Sequence, residues 1–184
     1  ELRTALEKIG NSPFLGGERT LELDSMIQQI VASCDFLANQ KEGALIVFRH
    51  AIPLKEYVET GTRLDAVLSK ELLISIFHNK GPLHDGAVIV ENGRILAAGC
   101  ILPTSFENLE KGFGTRHKAA IGLTEHTDAS VIVISEEKGM ISFAKNGRLE
   151  KNVQPARLQQ LLKVVLEPKP KKPKGKKLIY REQP

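Results

Sequence analysis

Along residues 23–38 the apolar side chains Leu23, Met26, Ile27, Ile30, Val31, Cys34, Leu37 and Ala38 recur at intervals of three and four. That spacing puts them on one helix face, so the pattern predicts a long amphipathic helix started by Thr20. Upstream, residues 2–9 carry a shorter helical pattern, and a Gly- and Pro-containing loop is expected through Gly17. Residues 44–48 then form an unbroken apolar run after Gly43. It is too short for a stable helix and suits a strand buried on both faces. Residues 60–64 predict a turn into a short extended piece. Residues 69–77 predict a helix capped by Ser69, with Glu71 in its first turn.

The second half alternates hairpins with helices. Asn92-Gly93 separates two apolar stretches, 87–90 and 94–102, and is a strong type I′ turn signal. Residues 129–135 are apolar and β-branched, and they are expected to pair with 140–145 across Glu136-Glu137-Lys138-Gly139. Asn146-Gly147 turns the chain into another short strand, and 156–166 closes the pattern as a helix. Hairpins mixed with helices predict an α/β fold, a single domain with a central mixed sheet flanked by helices. There is no internal repeat, no GxGxxG after a strand and no GxxxxGK[ST], which argues against the Rossmann and P-loop routes to phosphate binding.

Composition changes this picture in one respect. The net charge of +4 is unevenly spread: residues 167–184 hold seven Lys and Arg against two Glu, so the tail carries +5 and the rest of the chain −1. A Pro- and Lys-rich run of this kind builds no core and reads as a solvated extension. Without aromatic interleaving or an RNA-binding signature, no nucleic-acid partner is expected. Three segments follow: 1–19, an N-terminal helix and linker; 20–166, the folded domain; and 167–184, the basic tail. No run is long enough to span a bilayer. The chain starts at Glu1 rather than Met, which reads as a fragment of a longer protein. Cys34 and Cys100 show no zinc-ligand spacing and read as small buried hydrophobes of a reducing compartment.

The most unusual chemistry lies at Gly112-Phe113-Gly114-Thr115-Arg116-His117-Lys118. Thr115 is a good N-cap, so a helix is expected to start at or just after it. Arg116, His117 and Lys118 then meet the positive end of the helix dipole and a set of unpaired N–H groups. That placement costs stability unless an anion sits there, and flanking glycines let backbone approach it closely, as in phosphate sites. Pairing of Arg116 with Glu125 is the bland alternative, although more than two turns separate them. At Pro82-Leu83-His84-Asp85-Gly86-Ala87, Asp85-Gly86 alone is an ordinary turn signal. His84 and Asp85 nonetheless stand at the mouth of a buried strand, where an imidazole beside a carboxylate can hold a divalent cation or activate a hydroxyl. Ser135-Glu136-Glu137 ends another buried strand, with an exposed hairpin loop as its bland reading. His50, His78 and His126 have no partner motif and receive no role.

Together, Leu83-His84-Asp85-Gly86-Ala87 and Gly114-Thr115-Arg116-His117-Lys118 resemble the two signature motifs of the bacterial diadenylate cyclases, which make cyclic di-AMP from two ATP. The similarity runs over about residues 21–166 and points to the membrane-anchored class, whose catalytic domain is cytoplasmic. The resemblance implies that Asp85 is the catalytic carboxylate, near the attacking 3′-hydroxyl. It assigns ATP contacts to Gly86, Ala87, Leu102, Gly114, Thr115, Arg116, His117 and Ser135. It places a divalent metal (Mn²⁺, Mg²⁺ or Co²⁺) between His84 and Glu137, with Glu136 second. Because the product joins two ATP, it also implies a homodimer of facing active sites. Two positions depart from the family pattern. Lys118 replaces the usual Arg and loses its planar fork, and Ile101 stands where a tyrosine is common. A catalytically silent nucleotide-binding regulatory module is the alternative function.

Overall fold

A computed structural model describes residues 13–105 and 113–167. The helical pattern at 2–9, Gly112 and the tail from Pro168 lie outside the described residues. The first helix, α1, spans Pro13–Gln40. It therefore begins seven residues before Thr20, inside the stretch expected to be a loop. Proline suits a first helical position, because its missing N–H is one that has no intrahelical acceptor anyway. Ile27, Ile30, Cys34 and Leu37, spaced by three and four, are fully buried.

How α1 stops decides where the next strand begins. Lys41 takes a left-handed φ of 54°. Its N–H bonds to the Ala38 carbonyl at 3.1 Å, and the Glu42 N–H reaches the Leu37 carbonyl at 2.9 Å. This paired closure is a Schellman motif, built here on lysine where glycine is usual. It turns the chain through Glu42 and Gly43 into β1, Ala44–Phe48, buried along its whole length.

The remaining elements are α2 (Lys55–Val58), β2 (Thr62–Val67), α3 (Lys70–Phe77), β3 (Ala87–Glu91) and β4 (Arg94–Cys100), then α4 (Thr115–His126), β5 (Ser130–Ile134), β6 (Ile141–Lys145), β7 (Arg148–Glu150) and α5 (Pro155–Leu166). The Ser69 hydroxyl caps α3 by accepting the Leu72 N–H at 3.2 Å, as its sequence predicts. Both Asn-Gly turns have positive φ at both residues, 49° and 74° at Asn92-Gly93 and 51° and 70° at Asn146-Gly147. That is the I′ signature read from the sequence. The short α2 has no precedent in the sequence pattern.

The seven strands form one mixed sheet in the order β2-β4-β3-β1-β5-β6-β7. β1 lies in the middle, parallel to β3 and antiparallel to β5. Alternation of side chains divides the core in two. Ile46, Phe48, Val88, Val90, Ile132 and Ile134 pack beneath α1, α3 and α5. Leu45, Val47, Ala87, Ile89, Val131 and Val133 pack against Ala120 and Leu123 of α4. Both cysteines are buried and free, and burial pushes the Cys34 thiol up to about 12 and that of Cys100 up to about 11. Neither is a reactive thiolate.

Candidate functional site

Strand register brings the separated motifs to one rim of the sheet. Ala44, at the start of β1, pairs with Ile134, at the end of β5. Ile46 pairs with Val88 of β3, and Ala87 pairs with Cys100 at the end of β4. Gly43, Gly86, Ile101 and Ser135 therefore stand side by side. Gly43 and Ser135 extend the two-residue repeat of Leu45 and Val133, so both continue the face covered by α4.

The start of α4 reaches this rim. Gly114, rather than Thr115, is its N-cap, with extended backbone and no side-chain cap bond. The Gly114 carbonyl already accepts the N–H groups of His117 and Lys118 at 3.1 and 3.3 Å. Thr115 is thus the first helical residue and its side chain is exposed. The first turn contains no acidic residue, so nothing on the helix itself offsets its positive end.

Arg116 does not reach Glu125, whose carboxylate instead accepts the Ser105 hydroxyl at 2.8 Å. It crosses to the β5–β6 turn, where its Nη1 donates to Glu136 Oε2 at 2.8 Å. Glu136, second choice for the metal on sequence, is in this structure the partner of the arginine. Within that turn the Ser135 hydroxyl accepts the Lys138 N–H at 3.3 Å, and its carbonyl accepts that of Gly139 at 2.8 Å. His117 is half-buried beside them. Burial first, then the positive charges of Lys151 and Lys138, hold its pKa below the ordinary 6.5, and Glu137 opposes them.

Across β1 lies the other motif. The His84 Nδ1 donates to the Gly81 carbonyl at 2.5 Å. A carbonyl can only accept, so Nδ1 carries a proton, and in the neutral ring Nε2 is then the nitrogen with the lone pair. A metal-binding histidine is oriented in the same way. Asp85 is exposed. Gly86 has φ of 119°, and a Cβ there would lie 2.6 Å from the Gly99 carbonyl carbon, so the Asp-Gly turn is pressed against β4. Leu102 is buried, whereas Ile101 is exposed with its N–H bonded to the Thr60 hydroxyl at 2.8 Å.

Two clusters thus face the same rim, His84–Asp85 just before β3 and residues 115–117 with 135–137 beyond β1. Neighbouring strands are about 4.8 Å apart, so one intervening strand separates them by roughly 10 Å at the backbone. Among the described residues no group of three or more His, Cys, Asp or Glu gathers to hold a metal ion. His84 Nε2 and the Glu137 carboxylate are the predicted donors on this rim that could hold a divalent cation if a substrate phosphate completed its shell. The unassigned histidines have structural partners or lie at the surface: His50 meets the Ser130 hydroxyl at 2.9 Å, His78 meets Glu42 at 2.9 Å, and His126 ends α4 exposed. A groove of about 1350 Å³ lies at the opposite end of the sheet, lined by Phe48, Val90, Asp128 and Lys145 among others. It contains none of the predicted site residues, and the concentration of charge and helix start marks the other rim.

Comparison with known proteins identifies the family. Residues 31–149 match the family described as DisA bacterial checkpoint controller nucleotide-binding (DAC). The chain is 41% identical over 166 residues to the cyclic di-AMP synthase CdaA of Bacillus subtilis and, to the same extent, to a diadenylate cyclase of Listeria monocytogenes. Each alignment covers 88% of this chain and 61% of the relative, so the chain spans about three fifths of their length. The crystal structure of a double mutant of DacA from Staphylococcus aureus superposes with a TM-score of 0.76 at 38% identity, covering 78% of this chain and 97% of that one. A structure from Bacillus cereus, named as a hypothetical membrane spanning protein, gives 0.67 at 44% identity over 69% of this chain and 63% of that one. With its signature residues gathered on one rim and a family match over most of its length, the chain belongs to the diadenylate cyclase (DAC) family of nucleotide-binding domains.

Proposed function

We propose that this chain is a diadenylate cyclase that condenses two ATP into cyclic di-AMP and two pyrophosphates. The observation that carries the reading is the start of α4: a helix N-terminus without acidic residues, bearing Arg116 and His117, across β1 from the exposed Asp85. The helix end and Arg116 neutralise the triphosphate, with Gly114, Thr115, His117 and Ser135 as further phosphate contacts. Gly86, Ala87 and Leu102 border the nucleoside. Asp85 takes the proton of the 3′-hydroxyl. That oxygen then bonds to the α-phosphorus of the second ATP, and the bond to the departing pyrophosphate breaks in line. His84 Nε2 and the Glu137 carboxylate are the donors that would hold a divalent cation, which when bound would lower the hydroxyl pKa and balance charge on the phosphates.

One site holds one ATP, so two domains meet face to face, and a weak homodimer serves as well as a stable one. Among the described residues no helix is long and apolar enough to cross a membrane. The domain acts in the bacterial cytoplasm, anchored through segments preceding residue 1. The catalytic unit is bounded at about residues 20–166, and the basic tail lies outside it.

The test is incubation of the chain with ATP and Mn²⁺, Mg²⁺ or Co²⁺, with products identified by mass, beside an Asp85→Asn control of unchanged fold. Cyclic di-AMP from the natural sequence and none from the control is the expected result. Equal turnover by the control removes Asp85 from the mechanism. ATP binding without product under any of the metals leaves a nucleotide-binding regulatory module.

A further inference from the structure

Gly43 precedes the central strand, and its backbone has no need of glycine, since it is absent from the residues with positive φ. Glycine at such a position weakens a strand and commonly marks close approach of another group. A Cβ built on Gly43 would lie 2.5 Å from Arg116 Nη1, 2.8 Å from Arg116 Cζ and 3.0 Å from Glu136 Oε2. The guanidinium therefore occupies the space of the missing side chain. The Arg116 side chain is only 19% exposed there, while Glu136, its ion-pair partner, is 58% exposed.

The other crowded glycines differ in kind. At Gly86 and Gly122 an added Cβ would strike backbone, the Gly99 carbonyl carbon and the Pro103 carbonyl oxygen, each at 2.6 Å. At Gly43 it strikes the far end of a flexible side chain, which can move. Alanine there is expected to leave the fold intact and unseat the arginine.

We propose that Gly43 and Glu136 are positioning residues that form a seat for the Arg116 guanidinium, so that it presents its remaining donors to an anionic phosphate at the rim. A guanidinium has five N–H groups in a rigid fork, and its one acceptor among the described residues, Glu136 Oε2, leaves donors for a phosphate. An ion pair with so exposed a partner adds little to stability, so its contribution is to orientation. The inference deepens, and rests on, the reading that Arg116 binds the triphosphate.

The test compares the natural chain with Gly43→Ala, Arg116→Ala and the double variant, measuring ATP and adenosine binding by calorimetry and the thermal midpoint of each. Gly43→Ala is expected to keep its melting transition and its adenosine affinity while losing ATP affinity by about ten- to a hundredfold, the worth of one charge-assisted hydrogen bond. In the Arg116→Ala background the same substitution should add no further loss, because the group it displaces is gone. An additional loss of the same size in that background, an equal loss for adenosine, or a collapsed melting transition overturns the seat while leaving the phosphate role of Arg116 standing. Unchanged ATP binding in Arg116→Ala overturns both. Glu136 supplies an independent arm: Glu136→Gln keeps an acceptor over Gly43 and should retain more ATP affinity than Glu136→Ala. The reverse order overturns its positioning role.

Discussion

The imidazole of His117 packs against the ring of Phe113, with centroids 5.5 Å apart and planes tilted by 53°. Lys151 Nζ lies 4.3 Å from the centroid of the same ring. Phe113 thus contacts both a titratable group at the start of α4 and one of the cations that depress its pKa.

That environment sets a pH dependence. Burial, then Lys151 and Lys138, keep the native His117 pKa below 6.5. As pH falls through about 6.5 the unfolded chain takes up a proton that the native chain does not, so protons favour the unfolded state. Stability from this residue is full above that pH and is lost as pH drops toward the native pKa. Thermal melts over this range should show a steeper acid loss for the natural chain than for His117→Gln, and Lys151→Gln should raise the His117 pKa followed by NMR. A parallel pH profile in His117→Gln contradicts the assignment.

Gly86 and Gly99 both have positive φ, 119° and 67°, but their surroundings differ. A Cβ at Gly86 meets the Gly99 carbonyl carbon at 2.6 Å and the Cys100 carbonyl oxygen at 2.9 Å, whereas one at Gly99 meets only the Asp85 carbonyl oxygen at 3.6 Å. Gly86→Ala therefore combines backbone strain with a clash against backbone and should cost about 1–3 kcal/mol or more. Gly99→Ala carries the strain alone and should cost less. Denaturant unfolding of the two variants gives the order directly, and equal losses contradict the close packing of the Asp85-Gly86 turn against β4.

Features governed by a few adjacent residues are legible in the sequence. The two Asn-Gly turns, the Ser69 cap and the buried series Ile27, Ile30, Cys34 and Leu37 each follow from local geometry. The insertion of β1 between β3 and β5 is not legible, because periodicity carries no information on which strands pair. The expected loop through Gly17 is helix from Pro13, since two glycines resemble a break but cost only about 1 kcal/mol each within a helix. Gly114 replaces Thr115 as the cap because its extended backbone comes one residue earlier than the best capping side chain. In the site, the motif residues are recognisable singly and by resemblance. The Arg116–Glu136 contact is not, because a pair twenty residues apart meets only through the packing of α4 on the sheet.

The paired mechanism has a consequence that a single active site lacks. In the proposed reaction each phosphodiester bond uses the 3′-hydroxyl of one ATP and the α-phosphorus of the other, so ring closure would need a working Asp85 on both sides. In a mixture of natural chains with excess Asp85→Asn chains that still bind ATP, most natural chains sit in mixed pairs. A mixed pair activates one hydroxyl, forms one bond, releases one pyrophosphate and stops at the linear dinucleotide that still bears a triphosphate. This intermediate should accumulate, and cyclic di-AMP per natural chain should fall as the mutant fraction rises. Chromatography with mass detection separates the two products, and exchange between pairs is verified first by fluorescence transfer between labelled chains. A cyclic yield per natural chain that is indifferent to excess mutant, with mixed pairing demonstrated, contradicts two facing sites and assigns both bonds to one domain.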